Sequence, residues 1–435
     1  MPHESTTQLP ASEPLRIAMV SLHTSPGDEP GSGDAGGMNV VVRHQADAMA
    51  AAGHTVDLIT RRSSPDQPEQ VELADGVTLR FITAGPARPV PKGDHEGFIA
   101  EFEDGLRALG PWDLIHSHHW FSGMAALPIA RERRIPHVQS FHSIAADERT
   151  PLSEGERPES AGRLAGEAWL AQHSDVVVAI SEAEAETVVT RLGGSPDRIA
   201  VVPPGVDGAL FHPSAGADGA AGSPATDAGY AIVAGRLQPL KGFDLAIEAV
   251  AAVPEGLRPE LVVAGDVSAD YDEYIAELER LAAADGIERE VRFVGPQSRA
   301  GLAGLLRGAR IVLVPSHSET YGLVALEAAA SGVPVIAAAS GGLREAVVDG
   351  VTGIVLDSRD PAVWAEAVTR VLSDRPFADR LGAAARTRAE ALDWERSAAG
   401  LVTVYRAALA DADRAETPTA ADSAHDATAP ADCAR

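Results

Sequence analysis

Short apolar runs alternate with longer segments of helical periodicity along almost the whole chain. The first half contains the runs RIAMVSL, TVDLIT and DLIHSH, and the second half contains YAIVAGRL, ELVVAGD, VRFVGP, RIVLVPS, VPVIAAA and TGIVLD. Between them, apolar residues recur every three or four positions, as from Met38 to Met49. This alternation is typical of β-strands that pair in parallel through connecting helices. Because the strands of the second half are almost wholly apolar, we expect helices on both faces of the sheet.

Three low-complexity stretches interrupt this pattern. Residues 1–14 are polar with prolines, residues 411–435 mix Ala, Asp, Thr and Pro, and residues 214–229 read SAGADGAAGSPATDAG. Such segments bury too little apolar surface to fold. We therefore expect disordered ends and a linker in the middle of the chain.

The sequence predicts an α/β protein with two doubly wound, Rossmann-like domains, at 15–213 and 230–392. In folds of this type, ligands bind beyond the carboxyl ends of the strands, so we expect a site in the cleft between the domains. A last helix is expected at 393–410, and crossing back to the first domain is one option for it.

The charge and cysteine content exclude several classes of function. Lys and Arg number 36 against 63 Asp and Glu, a formal net charge of −27 at pH 7. Such a chain repels the phosphate backbone, so we expect no nucleic-acid partner. The single cysteine, Cys433, can form neither an internal disulfide nor a cysteine zinc site. With no signal-peptide pattern and no apolar run of about 18 residues, we expect a cytoplasmic protein without a membrane span.

A glycine-rich loop follows the first predicted strand. Residues 31–39 read GSGDAGGMN and lead directly into the first predicted helix. Glycines let the backbone approach an anion, and a helix N-terminus offers N–H groups with partial positive charge, so the loop is a candidate phosphate contact. The alternative is a merely flexible loop. We expect neither a dinucleotide oxidoreductase nor a P-loop NTPase, because the GxGxxG spacing of residues 31–36 is weak evidence by itself and no Lys–Ser/Thr pair follows it.

Two motifs of the second domain place charges where its strands end. GRLQPLKG carries Arg236 and Lys241, two cations suited to neutralise a diphosphate. SETYGLVALE carries Glu319 in a loop and Glu327 in an apolar helix. An unpaired carboxylate there is costly, and a ribose diol is a fitting partner. The alternatives are a solvated pair of cations, a capping carboxylate and a solvated helix residue.

Together these motifs resemble those of retaining glycosyltransferases of the GT-B fold, in glycosyltransferase family 4. The segments SLHTSP, EPGSGDAGGMNVVV, HSHHW, PPGVD, PQSR and GLVALEA narrow the likeness to one branch. That branch transfers N-acetylglucosamine from UDP-N-acetylglucosamine to 1D-myo-inositol 3-phosphate in mycothiol biosynthesis. The likeness covers about residues 15–411 and implies a retaining hexosyltransferase with a UDP-sugar donor and a small phosphorylated polyol acceptor.

The resemblance implies donor-binding residues in both domains. Arg236 and Lys241 would hold the diphosphate and Glu327 the ribose. Glu319 would contact the sugar hydroxyls, and His142 would line the reacting sugar, which makes these two the catalytic pair. The remaining donor contacts would be Glu29, Pro30, Gly37 and Gln297, the last beside the uracil. In such enzymes the leaving diphosphate takes the acceptor proton, so the resemblance implies no side-chain nucleophile.

The resemblance also implies an acceptor site in the first domain. Lys92 and Arg163 match two phosphate-binding cations, and Ser143 replaces a threonine while keeping its hydroxyl. Asn39 matches an asparagine that contacts the inositol hydroxyls. The other implied acceptor residues are His23, Asp34 and His119.

His119 departs from the family pattern, because the HSHYW motif of the family has tyrosine at this position. A neutral imidazole can donate one hydrogen bond to phosphate, and an imidazolium also adds charge. Acceptor binding is therefore retained, weakened or pH-dependent, or the acceptor is a different phosphorylated compound.

The implied chemistry requires no cofactor, and a structural Mg²⁺ is the one metal that the resemblance suggests. It would lie at backbone carbonyls of Leu306, Arg307, Ala309 and Val333. A metal site at the HSHHW histidines is a weaker option, since no carboxylate lies at ligand spacing. A homodimer is open, and so are three other functions: a transferase of this fold with another nucleotide sugar or acceptor, a sugar-nucleotide epimerase, and a non-catalytic sensor.

Overall fold

The computed structural model describes residues 13–28, 36–145, 162–214, 229–266, 271 and 273–416. Within them, short strands and helices alternate as the sequence predicts. Most of the expected disordered ends, and almost all of the expected linker at 214–229, lie outside the described residues.

Eight described strands build the first sheet: β1 (Arg16–Val20), β2 (Thr55–Arg61), β3 (Gln70–Ala74), β4 (Val77–Ile82), β5 (Leu114–His118), β6 (His137–Ser140), β7 (Val176–Ala179) and β8 (Ile199–Val201). Their order is β3-β4-β2-β1-β5-β6-β7-β8, and all neighbours are parallel except the antiparallel pair β3 and β4. The chain leaves β1 first to one side and later to the other. This reversal opens a crevice at the carboxyl end of β1, where such sheets bind ligands.

Helices cover both faces of this sheet: α1 (Gly37–Ala51), α2 (Ile99–Arg107), α3 (Trp120–Arg133), α4 (Arg163–His173) and α5 (Glu182–Leu192). Short 3-10 helices lie at Lys92–Phe98 and Pro196–Arg198. All residues of β5 and β6 are buried, including their polar ends. The polar residues at these strand ends therefore face the protein interior next to the crevice.

Six described strands build the second sheet: β9 (Tyr230–Ala234), β10 (Glu260–Ala264), β11 (Val291–Gly295), β12 (Ala309–Val314), β13 (Val335–Ala338) and β14 (Gly353–Leu356). They lie in the order β11-β10-β9-β12-β13-β14 and are all parallel. The helices are α6 (Phe243–Ala252), α7 (Tyr274–Ala284), α8 (Arg299–Gly308), α9 (Leu323–Ala330), α10 (Leu343–Ala346), α11 (Pro361–Ser373) and α12 (Arg375–Ala389), with 3-10 turns at Pro239–Lys241 and Glu255–Leu257.

Alternate residues of the second sheet point to opposite apolar layers. Ala231 and Val233 of β9 belong to one buried cluster, whereas Ile232 belongs to the other. Both faces are thus covered by helices, which explains why these strands read as continuous apolar runs. The prediction of an α/β fold with two doubly wound, parallel-sheet domains is confirmed.

The last helix, α13 (Trp394–Glu416), returns from the second sheet to the first domain and continues past the expected boundary at residue 410. Leu401 and Tyr405 are fully buried in a cluster with Met49 of α1. The Tyr405 hydroxyl lies 2.6 Å from Nδ1 of His116, whose Nε2 lies 3.0 Å from Ser140 Oγ. The Ser140 hydroxyl donates its proton to the Val178 carbonyl, so it accepts a hydrogen bond from Nε2 of His116. Nδ1 of the neutral His116 ring therefore accepts a hydrogen bond from the Tyr405 hydroxyl.

None of the described helices is long and apolar enough to cross a membrane.

Tyr405→Phe is expected to lower the free energy of unfolding by about 1–3 kcal/mol, because it leaves the buried His116 Nδ1 without its donor. Urea unfolding followed by circular dichroism measures this. Thr403→Val is the control on the same helix, since it removes an exposed hydroxyl bonded to the Ala399 carbonyl and should change stability by about 0.5 kcal/mol or less. Equal effects of the two variants would contradict the role of the tyrosine hydroxyl.

Candidate active site between the two sheets

One cleft lies between the carboxyl ends of the two sheets and is lined by both domains. It brings together seven of the residues selected from the sequence: Gly37, His142, Arg236, Lys241, Gln297, Glu319 and Glu327. These residues lie on loops and helices that follow five strands, β1, β6, β9, β11 and β12, and the two doubly wound sheets bring them together. The cleft is therefore the candidate active site.

Two helix N-termini meet across this cleft, those of α1 and α9. Leu323, the first residue of α9, packs against Val40 and Val41 of α1. A Cβ atom on Gly37, the first residue of α1, would lie 3.2 Å from Leu323 Cδ1. Each N-terminus presents N–H groups and a partial positive charge, so an anion between them would be stabilised from both sides.

Two cations from the second domain add to this positive region. Arg236 follows β9, and Lys241 ends the 3-10 turn after it; both line the cleft. Lys241 Nζ forms a 2.6 Å ion pair with Glu319 Oε2, and both side chains are partly exposed to the cleft. The chain is strongly acidic overall, yet this cleft concentrates positive charge.

Glu327 is buried in α9 with 3% of its surface exposed. Burial raises the pKa of its carboxyl group, and the ion pair with Arg299 opposes that shift. The carboxylate thus has a protein partner that the sequence analysis did not identify. Arg299 belongs to the PQSR segment, starts α8, and also lies over the Phe211 ring at 4.7 Å.

His142 reaches the cleft from the first domain in a backbone conformation that non-glycine residues rarely adopt, with φ at +57°. Its carbonyl accepts a 2.7 Å hydrogen bond from Thr320 Oγ1, and its Nε2 lies 2.8 Å from Nδ1 of His118. Its Nδ1 has no hydrogen-bond partner among the described residues. Burial lowers the pKa of His142 to about 4, so the ring is neutral at pH 7 with one nitrogen left for a ligand.

Four of the predicted acceptor residues, His23, Lys92, His119 and Arg163, lie near one another beside the cleft. The rings of His23 and His119 lie 4.4 Å apart, and both ring nitrogens of His119 are buried without a hydrogen-bond partner among the described residues. Burial, together with the positive charges of Lys92 and Arg163, holds the pKa of both imidazoles well below its usual range. The two neutral imidazoles therefore lie near two cations, and cations of this kind favour an anionic ligand.

Two of the predicted acceptor residues, Arg163 and Ser143, contact each other. Arg163 Nη2 donates to the Ser143 hydroxyl at 3.1 Å, and its Nε donates to Glu167 at 2.7 Å. Glu167 is fully buried and also accepts the backbone N–H of Ala145 at 3.0 Å. The carboxylate thus fixes the guanidinium and the loop that carries Ser143.

Asn39 is bonded within its own loop. Its amide nitrogen donates to Thr24 Oγ1 at 2.9 Å and to the Ser25 carbonyl at 2.6 Å, and its oxygen accepts the N–H of Gly36 at 3.2 Å. These bonds hold the turn between β1 and α1. The contact of Asn39 with an acceptor stays a prediction.

Both halves of the chain match glycosyltransferase families in sequence. A model described as "Glycosyl transferases group 1" matches residues 220–388, and one described as "Glycosyl transferase 4-like domain" matches residues 36–205. The D-inositol 3-phosphate glycosyltransferase of Thermobifida fusca (strain YX) is 42% identical over 411 residues, or 91% of this chain and 94% of that protein. The chain belongs to the D-inositol 3-phosphate glycosyltransferase family. It is a hexosyltransferase, as the sequence predicts.

Solved structures of glycosyltransferases share the fold. Sucrose-phosphate synthase from Thermosynechococcus elongatus superposes with a TM-score of 0.84 at 29% identity, covering 91% of this chain and 100% of that one. Anabaena Alr3699/HepE, solved with UDP and glucose, gives 0.70 at 20% identity, covering 90% and 100%. The GT-B architecture expected from the motifs is confirmed.

Three of the family positions selected from the sequence, Glu29, Pro30 and Asp34, lie outside the described residues. The suggested magnesium segment joins α8, β12 and the residues before β13. It offers backbone carbonyls, of which that of Leu306 already accepts the N–H of Ala309. In the described part of the chain, no group of three or more His, Cys, Asp or Glu side chains is arranged to hold a metal ion. The structural Mg²⁺ stays a prediction.

Glu184 is a buried carboxylate near His142 that the sequence analysis missed. It follows Ser181 by three residues, the spacing of a capping box, which is the signal that could have found it. Oε2 accepts the N–H of Ile180 at 2.7 Å, whereas Oε1 has no partner among the described residues. Burial raises the pKa of Glu184 from 4.5 to about 7.

Glu184→Gln is expected to raise the unfolding temperature at pH 8 by about 2 °C or more and to change it little at pH 5. Between the ordinary pKa and about pH 7, the folded protein keeps a proton that the unfolded chain has lost, so this group destabilises the fold increasingly as pH rises through that range. Glutamine removes the charge and hence the penalty. Differential scanning calorimetry at both pH values measures the effect.

Glu186→Gln, at an exposed position of the same helix, is the matched control and should show no such pH dependence. Equal shifts for Glu184→Gln at pH 5 and pH 8 would contradict the raised pKa.

Proposed function

We propose that this enzyme transfers N-acetylglucosamine from UDP-N-acetylglucosamine to 1D-myo-inositol 3-phosphate with retention of the anomeric configuration. The observation that carries the proposal is the presence of two cationic groups near each other. The helix N-termini with Arg236 and Lys241 line the cleft, and Lys92 and Arg163 lie near His119 beside it. A diphosphate donor and a phosphate acceptor match this pair. The relatives named as D-inositol 3-phosphate glycosyltransferases support the acceptor.

The donor diphosphate would lie between the N-termini of α1 and α9, with Arg236 and Lys241 beside it. Glu327, held by Arg299, would accept hydrogen bonds from the ribose diol. The uracil would lie near Gln297, whose amide nitrogen already donates to the Val294 carbonyl at 2.9 Å and so fixes the side chain. This arrangement orients the sugar toward the first domain.

The transfer step needs no side-chain nucleophile. The acceptor hydroxyl oxygen bonds to the anomeric carbon as the bond from that carbon to the diphosphate oxygen breaks, and the hydroxyl proton passes to the leaving diphosphate. Arg236, Lys241 and the helix N-termini stabilise the negative charge that gathers on that diphosphate. The neutral His142 offers Nδ1 to a sugar hydroxyl, and Glu319 contacts the others.

A UDP-release assay with UDP-N-acetylglucosamine tests this function. Release is expected to depend on inositol 3-phosphate and to give a glycosylated product of the expected mass. His119→Tyr restores the residue of the family motif. This variant is expected to lower the KM for the acceptor by about three- to tenfold, because the tyrosine hydroxyl donates a hydrogen bond to phosphate while the buried side chain stays uncharged. The donor KM is the internal control.

Release of UDP without any acceptor, with an altered free sugar, would instead indicate an epimerase. Donor binding without turnover would indicate that the acceptor is a different phosphorylated compound. A higher acceptor KM in His119→Tyr would indicate the same.

The two lysines give a separate test of the two anion sites. Lys92 and Lys241 are the only lysines in the sequence, and each lies in one of the two sites. UDP is expected to slow acetylation of Lys241 by sulfosuccinimidyl acetate by about tenfold. Inositol 3-phosphate, added together with UDP, is expected to slow acetylation of Lys92. In each case a bound phosphate would pair with the ammonium group and shield it from the reagent. Mass spectrometry of peptides measures both rates.

The α-amino group of the chain is the internal control, because its rate should not change. Protection of neither lysine, or of both by UDP alone, would contradict the assignment of separate donor and acceptor sites.

A further inference from the structure

The N-terminus of α5, in the first domain, is capped by a carboxylate from the second domain. Glu345 of α10 accepts the backbone N–H of Glu182 at 2.9 Å and that of Ala183 at 2.9 Å, one on each oxygen. The next N–H, of Glu184, is taken by Ser181 Oγ at 3.0 Å within the first domain. Two of the free N–H groups that every helix start presents are thus satisfied across the domain boundary.

A second connection lies beside the first and reaches the candidate catalytic histidine. Ser181 Oγ donates to the Thr320 carbonyl at 2.8 Å, and Thr320 Oγ1 donates to the His142 carbonyl at 2.7 Å. Thr320 follows Glu319 directly in the sequence, and both line the cleft. A single loop of the second domain therefore carries Glu319, the proposed sugar contact, and also bonds to the backbone of the opposing histidine.

The loop and the carboxylate form one rigid unit. The N–H of Gly342, at the start of α10, donates to the Glu319 carbonyl at 3.0 Å. A Cβ atom on Gly342 would lie 2.1 Å from the Thr320 carbonyl oxygen, so only glycine permits this approach. On its other side, the Glu345 carbonyl accepts a 2.9 Å hydrogen bond from Arg388 of α12. Movement of the Glu319 loop must therefore move Glu345 as well.

We propose that Glu345, Thr320 and Ser181 form an interdomain latch that positions His142 against the donor sugar. The latch closes when the second domain brings the Glu319 loop to the first domain. Closure caps α5 and holds the His142 carbonyl, so the ring meets the sugar only in the closed form. Glu345 and Thr320 are positioning residues, since neither acts on the anomeric carbon. The inference rests on the proposed function in placing the sugar between His142 and Glu319.

When the two domains separate, water can take the place of each hydrogen-bond partner in the latch. Backbone N–H groups and a half-buried carboxylate are hydrated in an open form, so the net gain on closure is small for each bond. A latch of this kind does not lock the protein. It lets donor binding shift the balance toward the closed form, in which water is excluded from the reacting bond.

Kinetics of latch variants test the proposal. Thr320→Val and Glu345→Gln are expected to lower kcat by about tenfold and to raise the donor KM by a smaller factor, because the diphosphate contacts stay intact while the closure coupled to donor binding is weaker. The ratio of donor hydrolysis to transfer is expected to rise, since the cleft closes less tightly. Thr320→Ser keeps the hydroxyl and should restore kcat to within about threefold of the unmodified enzyme.

Matched controls are Thr387→Val, at a threonine of α12 bonded within its own helix, and Glu366→Gln, at an exposed position of α11. Neither should change the hydrolysis ratio. A merely structural role for the latch residues would lower the unfolding temperature without changing that ratio.

Small-angle X-ray scattering with UDP alone separates the latch from the choice of acceptor. UDP is expected to reduce the radius of gyration of the unmodified enzyme, and Glu345→Gln is expected to lose most of that reduction. If both scattering results are found but inositol 3-phosphate is not glycosylated, the latch is supported and the proposed acceptor is wrong. Unchanged compaction in Glu345→Gln, together with an unchanged hydrolysis ratio in Thr320→Val, would overturn the latch.

Discussion

The meeting of two helix N-termini across the cleft is the constraint on which the site depends. Each N-terminus carries partial positive charge, and α1 and α9 come within packing distance at Gly37 and Leu323. Arg236 and Lys241 add full charges to the same region. Because both N-termini are partly positive, an anion between them would stabilise their approach. The chain has a net charge of −27, yet these local fields make the cleft suited to an anion.

Burial determines the protonation state of the residues around this region. His23, His119 and His142 are neutral at pH 7, because they are desolvated and, for the first two, because cations lie close. Buried carboxylates behave oppositely. Glu327 forms an ion pair with Arg299. Oε1 of Glu184 has no hydrogen-bond partner among the described residues, and burial raises the pKa of this carboxyl group to about 7. Neutral rings leave hydrogen-bonding atoms for ligands, and the positive charge nearby is carried by arginine and lysine side chains.

The sequence was most informative where function needs a particular residue type at a strand end. Arg236, Lys241, Glu319 and Glu327 were selected from two short motifs, and all of them line the cleft. Their partners were not selected, because Arg299 lies 28 positions from Glu327 and pairs with it only through the packing of α8 against α9. Asn39 was selected for an acceptor contact, but its amide is bonded within its own loop. His118 and Glu345 were missed because their partners lie on other elements.

The order of apolar runs, helix periodicities and glycine-rich turns by itself determined two parallel sheets and the edge at which ligands bind. Those features depend on local geometry and burial, which a chain records residue by residue. Only the tertiary structure decided which charges pair, which imidazoles lose their water, and which domain caps α5, because these depend on distances between residues far apart in sequence. Tyr405 illustrates the difference: its helix was expected, yet its hydrogen bond to His116 exists only because α13 crosses back to the first domain.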